Sequence, residues 1–183
     1  MNSAVGYSEV RLIGTGGLTR SETETVAELL HGLVAGGAAL GWVSPPAPDE
    51  VAVLLADVTA GIGPGDAALA VAYVEEAPVG FGYWRRYERP THRVNADLEK
   101  IAVAPEHQGA GLGRTLTTVL IAAAVQHSIE VLTLDLRGDN ARAVALYESL
   151  GFRRYGTLEN FVARGPARYD KLFYALDLRG VTV

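Results

Sequence analysis

The sequence contains no cysteine. That removes disulfide frameworks, thiolate zinc sites and cysteine nucleophiles together. Positive charge is also scarce. Sixteen Lys and Arg stand against 21 Asp and Glu, a formal net charge of −5, which argues against a sequence-independent grip on nucleic acid. A small basic site for phosphates remains compatible with that balance. Long apolar runs are missing too. The longest in the second half, Val119–Val125, is far shorter than the ~20 residues a bilayer span takes. The first ten residues, MNSAVGYSEV, have neither a basic region nor an apolar core, so no signal peptide is expected. These absences fit a reducing cytoplasm, with no membrane partner. What is present is ordinary: 183 residues, 49% of them hydrophobic and 20% charged, which predicts one globular domain over residues 1–183. No internal repeat, low-complexity tract or linker interrupts it.

Residues 8–14 alternate loosely and predict a strand. Residues 19–38 predict a helix: Leu18, Val26, Leu29, Leu30 and Val34 form a helical stripe, and Ser21 with Glu24 spells a capping box. Gly36, Gly37 and Gly41 follow, and Pro45, Pro46 and Pro48 mark a loop. Asp49 caps a second predicted helix, residues 49–60, with Val51, Leu54, Leu55 and Val58 on one side. Residues 67–74 and 79–86 predict an antiparallel hairpin turning through 75–78. From Ala96 the pattern sharpens. Asp97, Glu99, Ile101 and Val103 fall on one face of a strand, with Leu98, Lys100 and Ala102 on the other. A helix reaching His127 follows, its inner stripe being Leu116, Val119, Leu120, Ala123 and His127. Residues 131–137 read as a strand, and 140–150 as a helix closed by a left-handed Gly151. The last strands expected are 152–156 and 172–178.

The segment Gln108-Gly-Ala-Gly-Leu-Gly-Arg114 joins the end of one strand to the start of a helix. Such a loop offers unpaired backbone N–H groups and the positive end of a helix dipole. Glycines let the backbone approach an anion unobstructed, and Arg114 adds a charge. The combination suits a pyrophosphate. It is not a Walker loop: Gly109 to Gly113 is one residue short, and Arg114 stands where lysine is required. Nor is Gly109, Gly111, Gly113 the Gly-x-Gly-x-x-Gly of a dinucleotide fold, although Asp135 lies at a tolerable spacing for a ribose. On these residues alone a nucleotide site and a ligand-free helix entry both stay open. Further on, seven residues is about two helical turns, so Asn140 and Tyr147 share a helix face roughly 10 Å apart. An extended ligand could touch both, while a plain N-cap and a core tyrosine explain them equally.

Gln108-x-x-Gly111-x-Gly113, preceded by Ile101-Ala-Val-Ala-Pro105, resembles motif A of the GNAT (Gcn5-related N-acetyltransferase) superfamily. Residues 140–152, from Asn140 through Tyr147 to Phe152, resemble its motif B. The match covers residues 96–156. The stretch 36–42 and the total length also resemble acetyltransferases of the tabtoxin-resistance type. The resemblance implies an α+β fold, with a central mixed, mostly antiparallel sheet, two splayed parallel strands and flanking helices. It implies acetyl-CoA as co-substrate. The pantetheine arm would lie along Ile101, Ala102 and Val103, and the phosphates on the backbone of Gln108, Gly109, Ala110, Gly111, Leu112, Gly113 and Arg114. Asn140 would contact the arm and Tyr147 would face the thioester sulfur.

The same resemblance implies direct attack of an amine on the thioester, because nothing in the chain suggests a covalent nucleophile. An alkyl ammonium has a pKa of roughly 10 and must first lose a proton. Asp97 or Glu99 is the expected base, with Glu99 preferred. The Val103 N–H would polarise the carbonyl, and Tyr147 would protonate the leaving thiolate. Small amine, antibiotic or toxin, amino acid and protein N-terminus all stay open as acceptors, and the anionic balance with Asp97 and Glu99 near the site favours a small cationic molecule. Dimerisation, common in that family, is left open. A coenzyme-A-binding sensor that has lost catalysis is the main alternative. His31, His92, His107 and His127 have no partners at metal spacing, so no metal is expected. Tyr83 and Trp84 suit either an acceptor wall or the core, and Asn160, Tyr169 and Asp170 are candidates for the acceptor border.

Overall fold

The computed structural model describes residues 8–181. Residues 1–7 and 182–183 lie outside the described residues, and with them most of the segment on which the signal-peptide expectation rests. The elements in chain order are β1 (Ser8–Leu12), α1 (Arg20–Ala35), α2 (Pro48–Ile62), β2 (Ala67–Val74), β3 (Ala77–Arg86), β4 (Asn95–Val103), α3 (Leu112–Gln126), β5 (Val131–Arg137), α4 (Ala141–Ser149), β6 (Arg153–Arg164) and β7 (Ala167–Asp177). The seven strands form one sheet in the order β1-β2-β3-β4-β5-β7-β6. All neighbours are antiparallel except β4 and β5. This is the α+β architecture expected, with one parallel pair at its centre.

Two cores cover the two faces. Val26, Leu30, Val51, Leu55 and Val58 of α1 and α2 pack on Leu69, Val71, Phe81 and Tyr83. Leu112, Leu116, Leu120 and Ala123 of α3, with Tyr147 of α4, pack on Ala68, Ala70, Trp84 and Leu98. Strand β2 is therefore buried on both faces, and its unbroken apolar run reflects that. Ala68, Ala70 and Ala72 face α3, and Leu69, Val71 and Tyr73 face α1 and α2.

Several local expectations shift. The capping box of α1 is Thr19 with Glu22, not Ser21 with Glu24. The Thr19 hydroxyl accepts from the Glu22 N–H at 3.2 Å, and the Glu22 carboxylate accepts from the Thr19 N–H at 2.8 Å. Glu24 pairs with Arg20 instead. Two overlapping patterns of the same form occur here, and the earlier one wins. Helix α2 begins at Pro48, whose fixed φ suits a first helical position, so Asp49 lies inside the first turn. The β2–β3 turn has two residues, Glu75 and Glu76, both at positive φ, so β3 starts at Ala77. The last hairpin is much longer than expected. Strand β6 is exposed along most of its length, which leaves no apolar alternation to reveal it.

The change that matters for the site is in β4. Glu99 lies opposite Tyr83, but Ala102 lies opposite Phe81, so β4 carries one extra residue. Lys100 has φ +51° at that point. A β-bulge of this kind inverts the alternation beyond it. Ala96 and Leu98 face α3, and so do Ile101 and Val103. Asp97 and Glu99 are therefore not on the face of Ile101 and Val103, contrary to strict alternation. Gly82 makes room for the bulge: a Cβ there would collide with the Ile101 side chain.

Candidate active site

Strands β4 and β5 pair only through Asn95–Val131, Ala96–Leu132 and Asp97–Thr133, then diverge. The gap between them opens into two chambers. One, of about 450 Å3, runs from the end of β4 past the glycine loop to α4. The other, of about 310 Å3, lies over Asp97, Glu99, Lys100 and Asp135. Ile101, Asn140, Ala143 and Tyr147 line both, so the chambers meet at α4. The end of α1 and the loop after it, Gly36 to Leu40, form the opposite wall of the first chamber.

At the loop end, a short 3-10 turn, Pro105–His107, leads into Gln108. Gly109 and Gly111 both have φ +86°, a region that favours glycine, and Gly111 is the N-cap of α3 without a side-chain cap. Among the described residues, no N–H from Gly109 to Arg114 is engaged in a hydrogen bond. That is a ready anion cradle on a helix N-terminus. Gln108, Gly109, Leu112 and Gly113 line the first chamber, as do Ile101, Ala102 and Val103 of β4. Ala110, Gly111 and Arg114 do not. Arg114 instead donates to the Ser149 hydroxyl at 2.6 Å, at the C-terminal end of α4. The arginines that do line this chamber are Arg137, at the end of β5, and Arg142, in the first turn of α4. Arg137 is paired with Asp139, whereas Arg142 has no carboxylate partner among the described residues. Arg142 reaches the loop. It donates to the Gln108 side-chain oxygen at 2.7 Å, while the Gln108 amide nitrogen donates to the Val103 carbonyl at 2.9 Å. Arg142 was legible only as a charge next to Asn140, and nothing in its spacing marked it.

Asn140 caps α4 by accepting from the Ala143 N–H at 3.1 Å, and it lines both chambers. Tyr147 is buried, and its ring meets Phe152 edge-on at 5.6 Å. Its hydroxyl has no hydrogen-bond partner among the described residues and is not a buried unpaired atom, so it opens into the junction of the chambers. Burial raises its pKa above the ordinary tyrosine value. It stays protonated and able to donate.

The second chamber holds the carboxylates. Asp97 sits at the last paired position before the strands part and accepts from the Thr133 hydroxyl at 2.5 Å. Thr133 in turn hydrogen-bonds the Tyr87 hydroxyl at 2.6 Å. Burial pushes the Asp97 carboxyl up to about 6, against the Thr133 hydrogen bond, with Glu99 and Asp135 adding to the rise. Glu99 accepts from the Tyr83 hydroxyl at 3.0 Å and faces Arg85 at 3.6 Å. Asp135 pairs with Lys171 at 3.0 Å. Lys100 donates to the Leu40 carbonyl at 2.8 Å and lies 4.2 Å from the Trp42 ring centroid, and burial lowers its pKa. Tyr83 and Trp84 are both core: Tyr83 is fully buried with its hydroxyl on Glu99, and the Trp84 indole N–H donates to the Leu120 carbonyl at 3.1 Å. Asn160, Tyr169 and Asp170 line none of the chambers. Tyr169 stacks under Arg137, and Asp170 accepts from the Asn160 N–H. Among the described residues no three His, Cys, Asp or Glu gather as a metal site, and no helix is long and apolar enough to cross a membrane.

The sheet is split at its one parallel pair, with unengaged backbone N–H groups at a helix N-terminus at one end of the gap and a carboxylate chamber at the other. Residues 40–152 match the model of the acetyltransferase (GNAT) family, and the chain belongs to that family. It is 40% identical over 83 residues to the [ribosomal protein bS18]-alanine N-acetyltransferase of Escherichia coli K12, a match covering 45% of this chain and 56% of the relative. The chain thus spans about half the length of that curated relative. Its fold is shared with a ribosomal-protein-alanine N-acetyltransferase from Brucella melitensis, at TM-score 0.80 and 23% identity over 93% of this chain and 99% of that one. A phosphinothricin acetyltransferase from Sinorhizobium meliloti, solved in complex with acetyl-CoA, superposes at TM-score 0.79 with 19% identity, over 93% and 88% of the two chains. The likeness to the tabtoxin-resistance type stays a likeness of residues 36–42.

Proposed function

We propose that this chain acts as a single domain that transfers the acetyl group of acetyl-CoA directly to the primary amine of a small molecule, within a ternary complex. The observation that carries this is the meeting of the two chambers at Tyr147. The first accommodates an extended arm along Ile101, Ala102 and Val103, with its phosphates on the loop from Gln108 to Gly113 and Arg142 beside them. The second accommodates the acceptor, and its size suits a small molecule.

Asp97 is the better base of the two carboxylates. General-base efficiency is greatest when the pKa lies near the working pH, and the Asp97 carboxyl stands at about 6. Glu99 is engaged by Tyr83 and Arg85 and serves to shape the chamber. The amine nitrogen loses a proton to Asp97, directly or through water, and forms a bond to the thioester carbon. The tetrahedral oxyanion is stabilised by a strand N–H, that of Val103. The C–S bond then breaks, and Tyr147 protonates the departing thiolate. The name of the E. coli relative, an N-acetyltransferase, agrees with a nitrogen acceptor.

Thiol release from acetyl-CoA with a panel of amines tests the reaction. Tyr147→Phe should lower turnover by about tenfold or more and leave acetyl-CoA affinity, measured calorimetrically, nearly unchanged. Unchanged turnover removes Tyr147 from this role. Binding of acetyl-CoA with no turnover on any acceptor would instead indicate a sensor module. Protection by ATP or NAD in place of coenzyme A would indicate a nucleotide site.

A further inference from the structure

The acidic chamber continues sideways. A third chamber of about 340 Å3 lies between the loop after α1 and the β6–β7 hairpin, and it shares Ala39, Gly41, Asp135, Leu136 and Lys171 with the second. Its charged lining is Arg137, Arg164 and Lys171 against the single carboxylate of Asp135. Trp42 and Phe161 supply aromatic walls. In a chain of net charge −5 this is a local inversion of sign.

Pairing decides which charges are free to meet a ligand. Arg137 is bound by Asp139 at 2.6 Å, Lys171 by Asp135 at 3.0 Å, and Glu99 faces Arg85. Arg164 forms no ion pair among the described residues, and its one contact to the Gly37 carbonyl is long, at 3.5 Å. Lys100 likewise has a carbonyl and a ring but no carboxylate. Asp97 is the remaining carboxylate with no cation on it, and it lines the second chamber together with Tyr147. The charges left without an ionic partner are therefore Asp97 and Lys100 in the second chamber and Arg164 in the third.

We propose that the acceptor is an amine that also carries a carboxylate, its nitrogen directed to Asp97 and its carboxylate to Arg164 at the mouth of the third chamber, with Lys100 favouring the same sign in between. This rests on the transferase reading above and replaces the purely cationic acceptor suggested by composition. A guanidinium offers a carboxylate two parallel hydrogen bonds, which an ester or amide of the same amine matches less well.

The test uses the full chain, acetyl-CoA and thiol release. The probes are β-alanine, 4-aminobutyrate and 6-aminohexanoate, each beside its methyl ester, with alkylamines of equal length and a neutral tripeptide amide. A charge-assisted hydrogen bond corresponds to a preference of about tenfold or more in kcat/KM for the best acid over its ester, expressed in KM. Arg164→Gln should reduce the kcat/KM of the acid more than that of its ester, so that the ratio collapses toward one, and Arg164→Lys should recover part of it. Equal kcat/KM for acid and ester, an ester or tripeptide amide that outperforms every acid, or equal losses for acid and ester in Arg164→Gln overturn the proposal while leaving the transferase reading intact. No thiol release with any amine overturns both.

Discussion

Replacing Asp97 with asparagine should make the protein more stable at neutral pH while disabling it. The carboxyl stands at about 6 in the folded chain, against an ordinary 3.8, because burial disfavours its charged form. Each unit of displacement corresponds to about 1.4 kcal/mol between the protonation states. A rise of about two units thus costs up to ~3 kcal/mol of folding stability once the group is ionised. The sign follows from which state binds the proton more tightly. A pKa raised by folding favours the folded state at low pH, and that contribution is lost as pH climbs from the unfolded value through the folded one. Relative to a neutral asparagine, the cost is absent below pH 3.8 and complete somewhat above pH 6. The side chain is partly exposed, so screening trims the figure to ~1–3 kcal/mol. Urea unfolding of both proteins at matched ionic strength, at pH 7.5 and pH 4, measures it. Asp97→Asn should be the more stable protein at pH 7.5, and most of the difference should vanish at pH 4. Its thiol release should fall by about 10²–10⁴-fold, the usual contribution of a general base, and wild-type kcat/KM should show an acid limb near pH 6. A variant less stable than wild type at pH 7.5, or a difference of the same size at both pH values, would refute the assignment of a desolvated, uncompensated carboxylate.

The other expectations concern the supports of the site. Thr133→Val removes the hydrogen bond that opposes the rise in the Asp97 pKa, so the acid limb of kcat/KM should move up by about one pH unit; Thr133→Ser should leave it in place. Arg142→Gln should raise the KM for acetyl-CoA about tenfold with kcat little changed, since the lost charge lies at the loop and away from the thioester. Gly80→Ala places a Cβ 2.7 Å from the Ala102 carbonyl oxygen and 3.2 Å from Val103. It should lower stability by ~1–3 kcal/mol in a thermal or urea melt, and should weaken acetyl-CoA binding by displacing the strand edge.

How much of this was legible depends on whether the feature is local. The glycine loop, Asn140 and Tyr147 announce themselves because each depends on a few adjacent residues, and residues of all three line one chamber. Strand β4 shows the limit. Period-two alternation puts Glu99 and Ile101 on one face, and only the register against β3 reveals that Lys100 breaks the count. Thr133, Arg137, Arg164 and Lys171 join the site through strand divergence and a mostly exposed hairpin, neither of which leaves an apolar pattern. Arg114 shows the converse case. A cation beside a phosphate loop invites assignment to the phosphate, and its side chain donates to the Ser149 hydroxyl of α4.

The bulge also explains how one strand lines two chambers with different residues. A regular β4 would point Asp97, Glu99, Ile101 and Val103 the same way, crowding carboxylates and arm onto one face. With the extra residue, Ile101 and Val103 turn to the α3 face, whereas Asp97 and Glu99 face the α1–α2 side with the third chamber beyond them. The inversion falls at Lys100, one residue before the strand begins to line the first chamber. It needs Gly82 across the ladder, where any side chain would meet Ile101. In the proposed mechanism, separation of the base from the arm, and so the direction from which an amine would approach, is set by a backbone irregularity two strands share, and not by the catalytic side chains themselves.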